Sequence, residues 1–288
     1  LISIIGPTAI GKTALSIKLA NHFKTEIISA DSRQFFKEMQ IGTAAPTQLE
    51  LDQAKHHFIH HKSIEDHYSV GAFEKEALEK LNQLYKKHDV AIMVGGSGLY
   101  VDAVNKGLDH FPDVDKSIRE ELNKKLINEG LEPLQNQLKK LDESTYKVIA
   151  LDNPQRVIRA LEICIDREKN NRIFKTITIG LTAERSIIYS RINQRVDIMI
   201  QEGLLDEAKT LMPKQNLNAL NTVGYKELFK YFNGECTLDF AINEIKKNSR
   251  RFAKRQLTWF KRNDDTFWFD FETPITKIIP AIEKSISV

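Results

Sequence analysis

Hydrophobic and polar positions alternate between two periods along the chain. Leu1 to Ile5 is an unbroken apolar run closed by Gly6-Pro7, which predicts a parallel strand buried on both faces. Thr13 to Phe23 then places Leu15, Leu19, Ala20 and Phe23 at helical spacing. Glu26 to Ala30 predicts a second strand ending at Asp31-Ser32, and the polar residues 31–46 predict a loop. Val70 to His88 carries Val70, Phe73, Ala77, Leu81, Leu84 and Tyr85 on one helical face. Val90 to Val94 predicts a strand closed by Gly95-Gly96. Strands and helices in alternation predict a parallel sheet with crossover helices.

The texture changes after Phe111-Pro112. Residues 113–166 have helical periodicity, with Asp115 as a cap, a stop at Gly130, and Pro133 and Pro154 near further helix starts. Residues 111–174 are therefore expected to form an all-helical insertion, with 1–110 and 175–288 as the core domain. Lys175 to Leu181 is β-branched and alternating, so the chain returns to the sheet. Helices are predicted over 184–202, 204–212, 224–232 and 237–262, then a strand over Thr266 to Asp270 and a terminal helix.

Gly6-Pro7-Thr8-Ala9-Ile10-Gly11-Lys12-Thr13 has the form G-x-x-x-x-G-K-[ST], after a strand and opening a helix. That geometry turns backbone N–H groups around a phosphate, with Lys12 adding a charge and the Thr13 hydroxyl able to hold Mg²⁺. Hydrolytic P-loop enzymes commonly carry an acidic residue at a second strand end. Here that end is Gly95-Gly96-Ser97-Gly98 and holds no carboxylate. The strand 26–30 instead delivers Asp31, suited to deprotonating a nucleophile; the alternatives are a turn cap or a distant Mg²⁺ contact. Gly95–Tyr100 lies at a strand's carboxyl end, where open α/β sheets bind ligands, and Ser97 offers a short donor.

Charge changes the picture. The 288 residues hold 42 Lys+Arg and 39 Asp+Glu, a net +3 typical of an ordinary globular protein. Residues 241–262 alone carry eight basic residues and one acidic, a net +7, so the remainder is −4. Lys246, Lys247, Arg250, Arg251, Lys254, Arg255, Lys261 and Arg262 recur every three or four positions with Phe252, Trp259 and Phe260 between them. A continuous positive stripe is expected, an RNA-backbone footprint with Arg251 and Arg255 among its contacts. Arg156 and Arg159, and likewise Arg191 and Arg195, share a helical face and form candidate phosphate clamps. His56, His57, His60 and His61 cluster in sequence, but on a strand or loop edge they point apart and are not expected to bind metal.

Thirteen Gly and eight Pro exclude collagen-like or low-complexity chains, and no apolar stretch reaches the ~20 residues of a membrane helix. Two cysteines, Cys164 and Cys236, form no disulfide framework, so a reducing, cytoplasmic setting is expected. The chain starts inside a strand without Met, so a few preceding residues and no signal peptide are expected.

Taken together, these segments resemble the bacterial tRNA dimethylallyltransferase family over almost the whole chain. The matching segments are GPTAIGKT (6–13), SADSRQ (29–34), IGTAAP (41–46), GGSGLY (95–100), NPQRVIRALE (153–162), RINQR (191–195), VGYKE (223–227) and AKRQLTW (253–259). The resemblance implies an α/β, P-loop kinase-like core with an all-helical insertion domain. It implies prenylation of adenosine-37 in a tRNA anticodon stem-loop from dimethylallyl diphosphate, with Asp31 as base and Lys12, Thr13 and Arg195 on the diphosphate. Gly6 to Thr13 would form the diphosphate loop, with Mg²⁺ on Thr13. The tRNA contacts it implies are Asp31, Ser32, Arg33 and Gln34, then Gln155, Arg156, Val157, Ile158 and Arg159, with Ser97 and Arg119. Gln34 is the candidate to read the adenine edge. The family commonly has Tyr at Phe36, Lys at Ala45, Thr at Ser97 and Asp at His60, and Asp166 to Phe174 is short for it. A cytoplasmic monomer is expected. Competing readings are an adenylate isopentenyltransferase, a P-loop small-molecule kinase and a non-catalytic RNA-binding module.

Overall fold

All four side chains of β1 (Ile2–Ile5) are buried, as a strand covered on both faces requires. The structure, a computed structural model, describes residues 1–107, 116–169 and 174–286. After β1 come α1 (Lys12–Phe23), β2 (Ile27–Ser29), α2 (Gln48–Gln53), β3 (His56–His57), α3 (Val70–Leu84), β4 (Ile92–Val94) and α4 (Gly98–Lys106). Four helices follow: α5 (Lys116–Glu129), α6 (Glu132–Leu141), α7 (Glu143–Val148) and α8 (Pro154–Lys169). The chain continues through β5 (Ile177–Thr182), α9 (Arg185–Gln201), α10 (Leu204–Leu211), α11 (Tyr225–Phe232), α12 (Leu238–Phe260), β6 (Thr266–Asp270) and α13 (Ile275–Ile286). No helix among the described residues is long and apolar enough to cross a membrane.

The strands form one six-stranded sheet in the order β3-β2-β4-β1-β5-β6. Every pairing is parallel, the α/β arrangement that the alternating periods predict. Strand β1 is central, and its neighbours β4 and β5 come from distant parts of the sequence. That places a crevice beyond the carboxyl ends of β1, β2 and β4. Ile2, Ile4, Ile27, Ile92 and Ile179 fill the sheet's core with Leu15 and Leu19 of α1. A second core gathers Val196, Leu204, Leu211, Tyr225, Leu228 and Ile245 from α9 to α12.

The chain divides into two compact units, Leu1–Val101 with Lys175–Val288, and Asp102–Phe174. The first boundary falls inside α4, earlier than the change of texture at Phe111-Pro112. A continuous helix shows no break in composition where it passes from one unit to the next, so the sequence marks the loop after it. The second unit has its own core, with Ile118, Leu122, Leu134, Leu138, Ile158 and Leu161 at its centre. Helix α5 ends before Gly130, whose φ of +84° suits a helix stop. The Asp115 cap and the junction at 170–173 lie outside the described residues.

Candidate active site and RNA-facing surface

The loop between β1 and α1 wraps the entrance of a cavity of about 560 Å³, which Thr8 to Ala14 line on one side. Gly6 sits at φ +147°, and a Cβ there would lie 2.7 Å from the Leu181 carbonyl oxygen, so no other residue fits this turn. Gly6 and Pro7 are not among the residues that line the cavity. Pro7 has no N–H, and its carbonyl accepts from Lys12 Nζ at 2.8 Å. The Thr8 N–H is also spent, donating to Gln256 Oε1 at 2.8 Å. Ala9 and Ile10 are buried, so their contribution to a phosphate is their backbone. Ala9, Ile10, Gly11, Lys12 and Thr13 are the other residues of this loop that line the cavity.

Two arginines on α9 close it. Arg195 donates to Thr8 Oγ1 at 3.5 Å, and Arg191 Nε donates to the Ala9 carbonyl at 2.8 Å with its guanidinium over the Phe271 ring. Both line the same cavity, so this pair faces the P-loop from one helix. Burial lowers the Lys12 pKa to about 8, against the attraction of Asp31 and with the repulsion of Arg195. An ammonium destabilised by burial gains from an anion placed beside it.

Asp31 follows β2. Burial raises its pKa, opposed by the Arg33 N–H that Oδ1 accepts at 3.1 Å and by the charge of Lys12. A raised carboxylate in a cleft suits proton transfer. Asp31 borders the P-loop cavity and also a second cavity of about 580 Å³, lined by Ser97, Tyr100, Asn221, Arg255 and Trp259 among others. Thr8, Gly96, Arg195 and Gln256 line both as well. The carboxylate thus sits where two cavities meet.

The remaining positions of the 31–34 segment serve the scaffold. The Ser32 N–H donates to Ser97 Oγ at 3.0 Å, and Ser97 Oγ donates to Ser32 Oγ at 3.1 Å. Arg33 donates to the carbonyls of Asn218 and Ala219. Gln34 Nε2 donates to Thr43 and Ala44 carbonyls, and Gln34 lines the P-loop cavity and not the second. That amide fastens the 41–46 loop instead of presenting its edge to the second cavity. Phe36 is 6% exposed in the second core, so that position does not call for a polar group, whereas Ala45, at 8% exposure, lines the P-loop cavity.

Within the helical unit, Gln155 and Arg156 are exposed, but Val157 and Ile158 are fully buried. Those two belong to the unit's core, which corrects their assignment as tRNA contacts. Arg159 and Arg119 converge on Glu162, at 2.9 and 2.6 Å. The Glu162 side chain is 1% exposed, so a buried carboxylate holds both arginines. Arg156 and Arg159 therefore do not act as a free pair.

The basic helix α12 is not a uniform stripe. Lys246 pairs with Asp197, Lys247 with Glu244, and Arg250 donates to Asn193 Oδ1. The exposed cations are Arg251, Lys254, Arg255, Lys261 and Arg262. Arg255 lies over the Phe252 ring and Arg262 over the Trp259 ring, while Phe260 is buried. Cations lying over aromatic rings gain a modest attraction there while leaving their charge on the surface.

The histidines are dispersed: His56 and His57 form β3, His57 pairs with Glu26, and His61 sits edge-on to Phe35, Phe58 and Tyr68. Burial drops the His61 pKa to about 4. Among the described residues no three His, Cys, Asp or Glu side chains are grouped to hold a metal ion. The P-loop cavity does offer oxygen donors in Thr13, Asp31 and Glu50. That donor set fits Mg²⁺, which takes one or two protein oxygens and completes its shell with phosphate and water.

Sequence reasoning missed Gln256, Arg191 as a contact of the P-loop backbone, and Glu162. Gln256 had one signal: it is a polar residue on the inward face of α12, among Ala241, Ile245, Ala253 and Phe260. A buried amide needs partners.

A family model described as IPP transferase matches residues 34–263. A Flavobacterium johnsoniae protein named tRNA dimethylallyltransferase is 59% identical, covering 99% of this chain and 98% of its own. One from Phocaeicola vulgatus, named tRNA dimethylallyltransferase 1, is 47% identical, covering 98% of each. The crystal structure of tRNA isopentenylpyrophosphate transferase from Bacillus halodurans superposes with a TM-score of 0.74 at 39% identity, covering 99% of this chain and 95% of that one. A eukaryotic dimethylallyltransferase acting on tRNA superposes at 0.69 with 25% identity, covering 94% and 73%.

Proposed function

Since the chain belongs to the tRNA dimethylallyltransferase (IPP transferase) family, and is accordingly a tRNA prenyltransferase, we propose how its two cavities divide the reaction. The P-loop cavity takes dimethylallyl diphosphate, and the second cavity admits adenosine-37 of the anticodon stem-loop. The observation that carries this division is the half-buried Asp31 carboxylate bordering both cavities.

In the step, the bond between the prenyl C1 and the diphosphate oxygen breaks as a bond from N6 to C1 forms. The N6 proton passes to Asp31, and diphosphate leaves. Negative charge grows on the leaving group, where the N–H groups of residues 9–13, Lys12, Arg191 and Arg195 converge. Mg²⁺ held by the Thr13 hydroxyl would add further neutralisation of that charge when bound. Adenine is unreactive while stacked, so it must swing out of the loop to reach Asp31. Arg251 grips a backbone phosphate outside the second cavity and Arg255 grips one at its wall, and Gln155 and Arg156 offer the helical unit's own contacts. Ser97 acts by holding Ser32 beside Asp31. The chain works as a monomer in the cytoplasm, a setting that its free cysteines Cys164 and Cys236 suit.

Labelled dimethylallyl diphosphate supplied in parallel with bulk tRNA, with AMP and without acceptor tests this. Label should enter tRNA alone; label in AMP would replace this reading with that of an adenylate enzyme. Asp31→Ala should lower turnover by about 10²–10⁴-fold while tRNA still binds. Near-normal turnover in that variant would remove Asp31 from the base role.

A further inference from the structure

Gln256 is 6% exposed on the inward face of α12, the helix that presents Arg251 and Arg255 to solvent. Its Oε1 accepts from the Thr8 N–H at 2.8 Å, and its Nε2 donates to the Gly96 carbonyl at 2.8 Å. A Cβ on Gly96 would lie 2.4 Å from Gln256 Nε2 and 3.7 Å from Asp31 Oδ2. The amide therefore crosses directly over Gly96, beside the carboxylate, where no larger residue leaves it room. One neutral side chain thus ties the P-loop, the Gly95–Tyr100 turn and the RNA-facing helix together. An amide does this because it supplies one donor and one acceptor at once.

We propose that Gln256 is a positioning residue for the transfer step. It fixes Thr8 and Gly96, which line both cavities together with Asp31, so that donor and acceptor cavities keep one separation, and it sets that separation from the helix that seats the RNA. The proposal rests on the two-cavity reading above. It adds that α12 aligns the reacting groups through its buried face while its exposed face binds. Gln256 carries no charge and takes no part in proton transfer. Its loss should act on kcat and spare tRNA affinity, because a small misplacement of reacting groups costs rate without costing remote contacts.

The test uses the full chain with Q256M, which keeps the length of the side chain but removes both strong hydrogen-bonding groups, with G96A, and with the double variant. Each is checked by thermal melting, filter binding of tRNA, and steady-state kinetics. Q256M should lose about 100-fold in kcat, with tRNA Kd changed by no more than about twofold. G96A should give the same pattern, since its methyl displaces the amide. The double variant should be no worse than either single, as for groups acting through one contact. Wild-type kcat in Q256M, a loss of tRNA affinity matching the loss of rate, or additive losses in the double would each overturn the proposal. Should Q256M fail to fold, G96A decides alone: reduced kcat with intact tRNA binding supports the proposal, and wild-type kcat refutes it. Absence of label transfer in the wild-type chain would instead strike the two-cavity reading itself.

Discussion

The Tyr225 hydroxyl donates to Glu207 Oε1 at 2.7 Å, and the same carboxylate accepts the N–H groups of Gln40, Ile41 and Gly42 at 2.8–3.0 Å. Three consecutive backbone donors on one carboxylate pin the start of the 40–46 loop, whose residues Ile41 and Thr43 to Pro46 wall the P-loop cavity. Glu207→Gln keeps the shape but leaves one accepting oxygen for four donors. A charge-assisted hydrogen bond contributes about 1.5–3 kcal/mol, so losing one should raise the KM for dimethylallyl diphosphate about tenfold. Tyr225→Phe removes a single bond and should cost about 1 kcal/mol of stability. Steady-state kinetics and thermal melts check both; an unchanged KM in Glu207→Gln would show that the loop is held by other contacts.

Burial moves Asp31 and Lys12 toward each other in pKa, which shapes the pH profile. Asp31 must be ionised to accept a proton, and its raised pKa means the rate falls, as pH drops, sooner than for an ordinary carboxylate. Lys12 must be charged to hold diphosphate, and with a pKa of about 8 its contribution is lost as pH rises through that value. The profile of kcat/KM for dimethylallyl diphosphate, which reports the free enzyme, should therefore be a bell with its alkaline limb near pH 8. Bound diphosphate stabilises the ammonium, so the limb in kcat should lie higher. Lys12→Arg should abolish the alkaline limb whatever it does to the rate, because arginine stays charged. A limb unmoved in that variant would assign the titration to another group.

The core of the fold is legible in the residues because it repeats. Five of the strands stand out as apolar runs closed by turn residues, and the long helices keep their period. Strand β3 is legible only as a strand or loop edge, because two polar histidines carry no alternation; it pairs with Ile27 and Ile28 at the edge of the sheet. The P-loop and Asp31 are legible for another reason: their chemistry dictates spacing and residue type over a few neighbouring positions. Gln256, Glu207 and Glu162 act on partners 248, 165 to 167 and, from Arg119, 43 residues away. No local pattern encodes such pairings. Val157 and Ile158 show the converse error, since a contiguous motif mixes outward Gln155 and Arg156 with inward core residues.

The unequal pairing of cations on α12 yields a contrast within one helix. Arg251 and Arg255 are exposed, whereas Lys246 is held by Asp197. Arg255→Ala and Arg251→Ala should each weaken tRNA binding and lower the slope of log affinity against log salt by about 1. Lys246→Ala should leave that slope unchanged, because its charge is already neutralised by a neighbour. Filter binding across a salt series reads all three. A Lys246 effect equal to that of Arg255 would restore the uniform stripe that the sequence suggested.

Glu162 sets the last expectation, on the stability of the helical unit. Its carboxylate is 1% exposed and is held by Arg119, whose side chain is 54% exposed, and Arg159, which is 28% exposed. The two sides of this cluster are not equivalent. Removing the charge with Glu162→Gln returns two arginines to water at little cost and leaves a neutral group that can still accept, so the loss should be about 1 kcal/mol. Removing both arginines strands a buried carboxylate without a cation, which costs about 3–5 kcal/mol when one side of a buried pair is deleted. Urea denaturation of Glu162→Gln and of the Arg119→Ala, Arg159→Ala double variant should therefore place the double variant well below the single one. Adding Glu162→Gln to the double variant should recover part of the loss, since the stranded charge is then gone. A triple variant no more stable than the double would mean that the arginines contribute through their packing and not by neutralising Glu162.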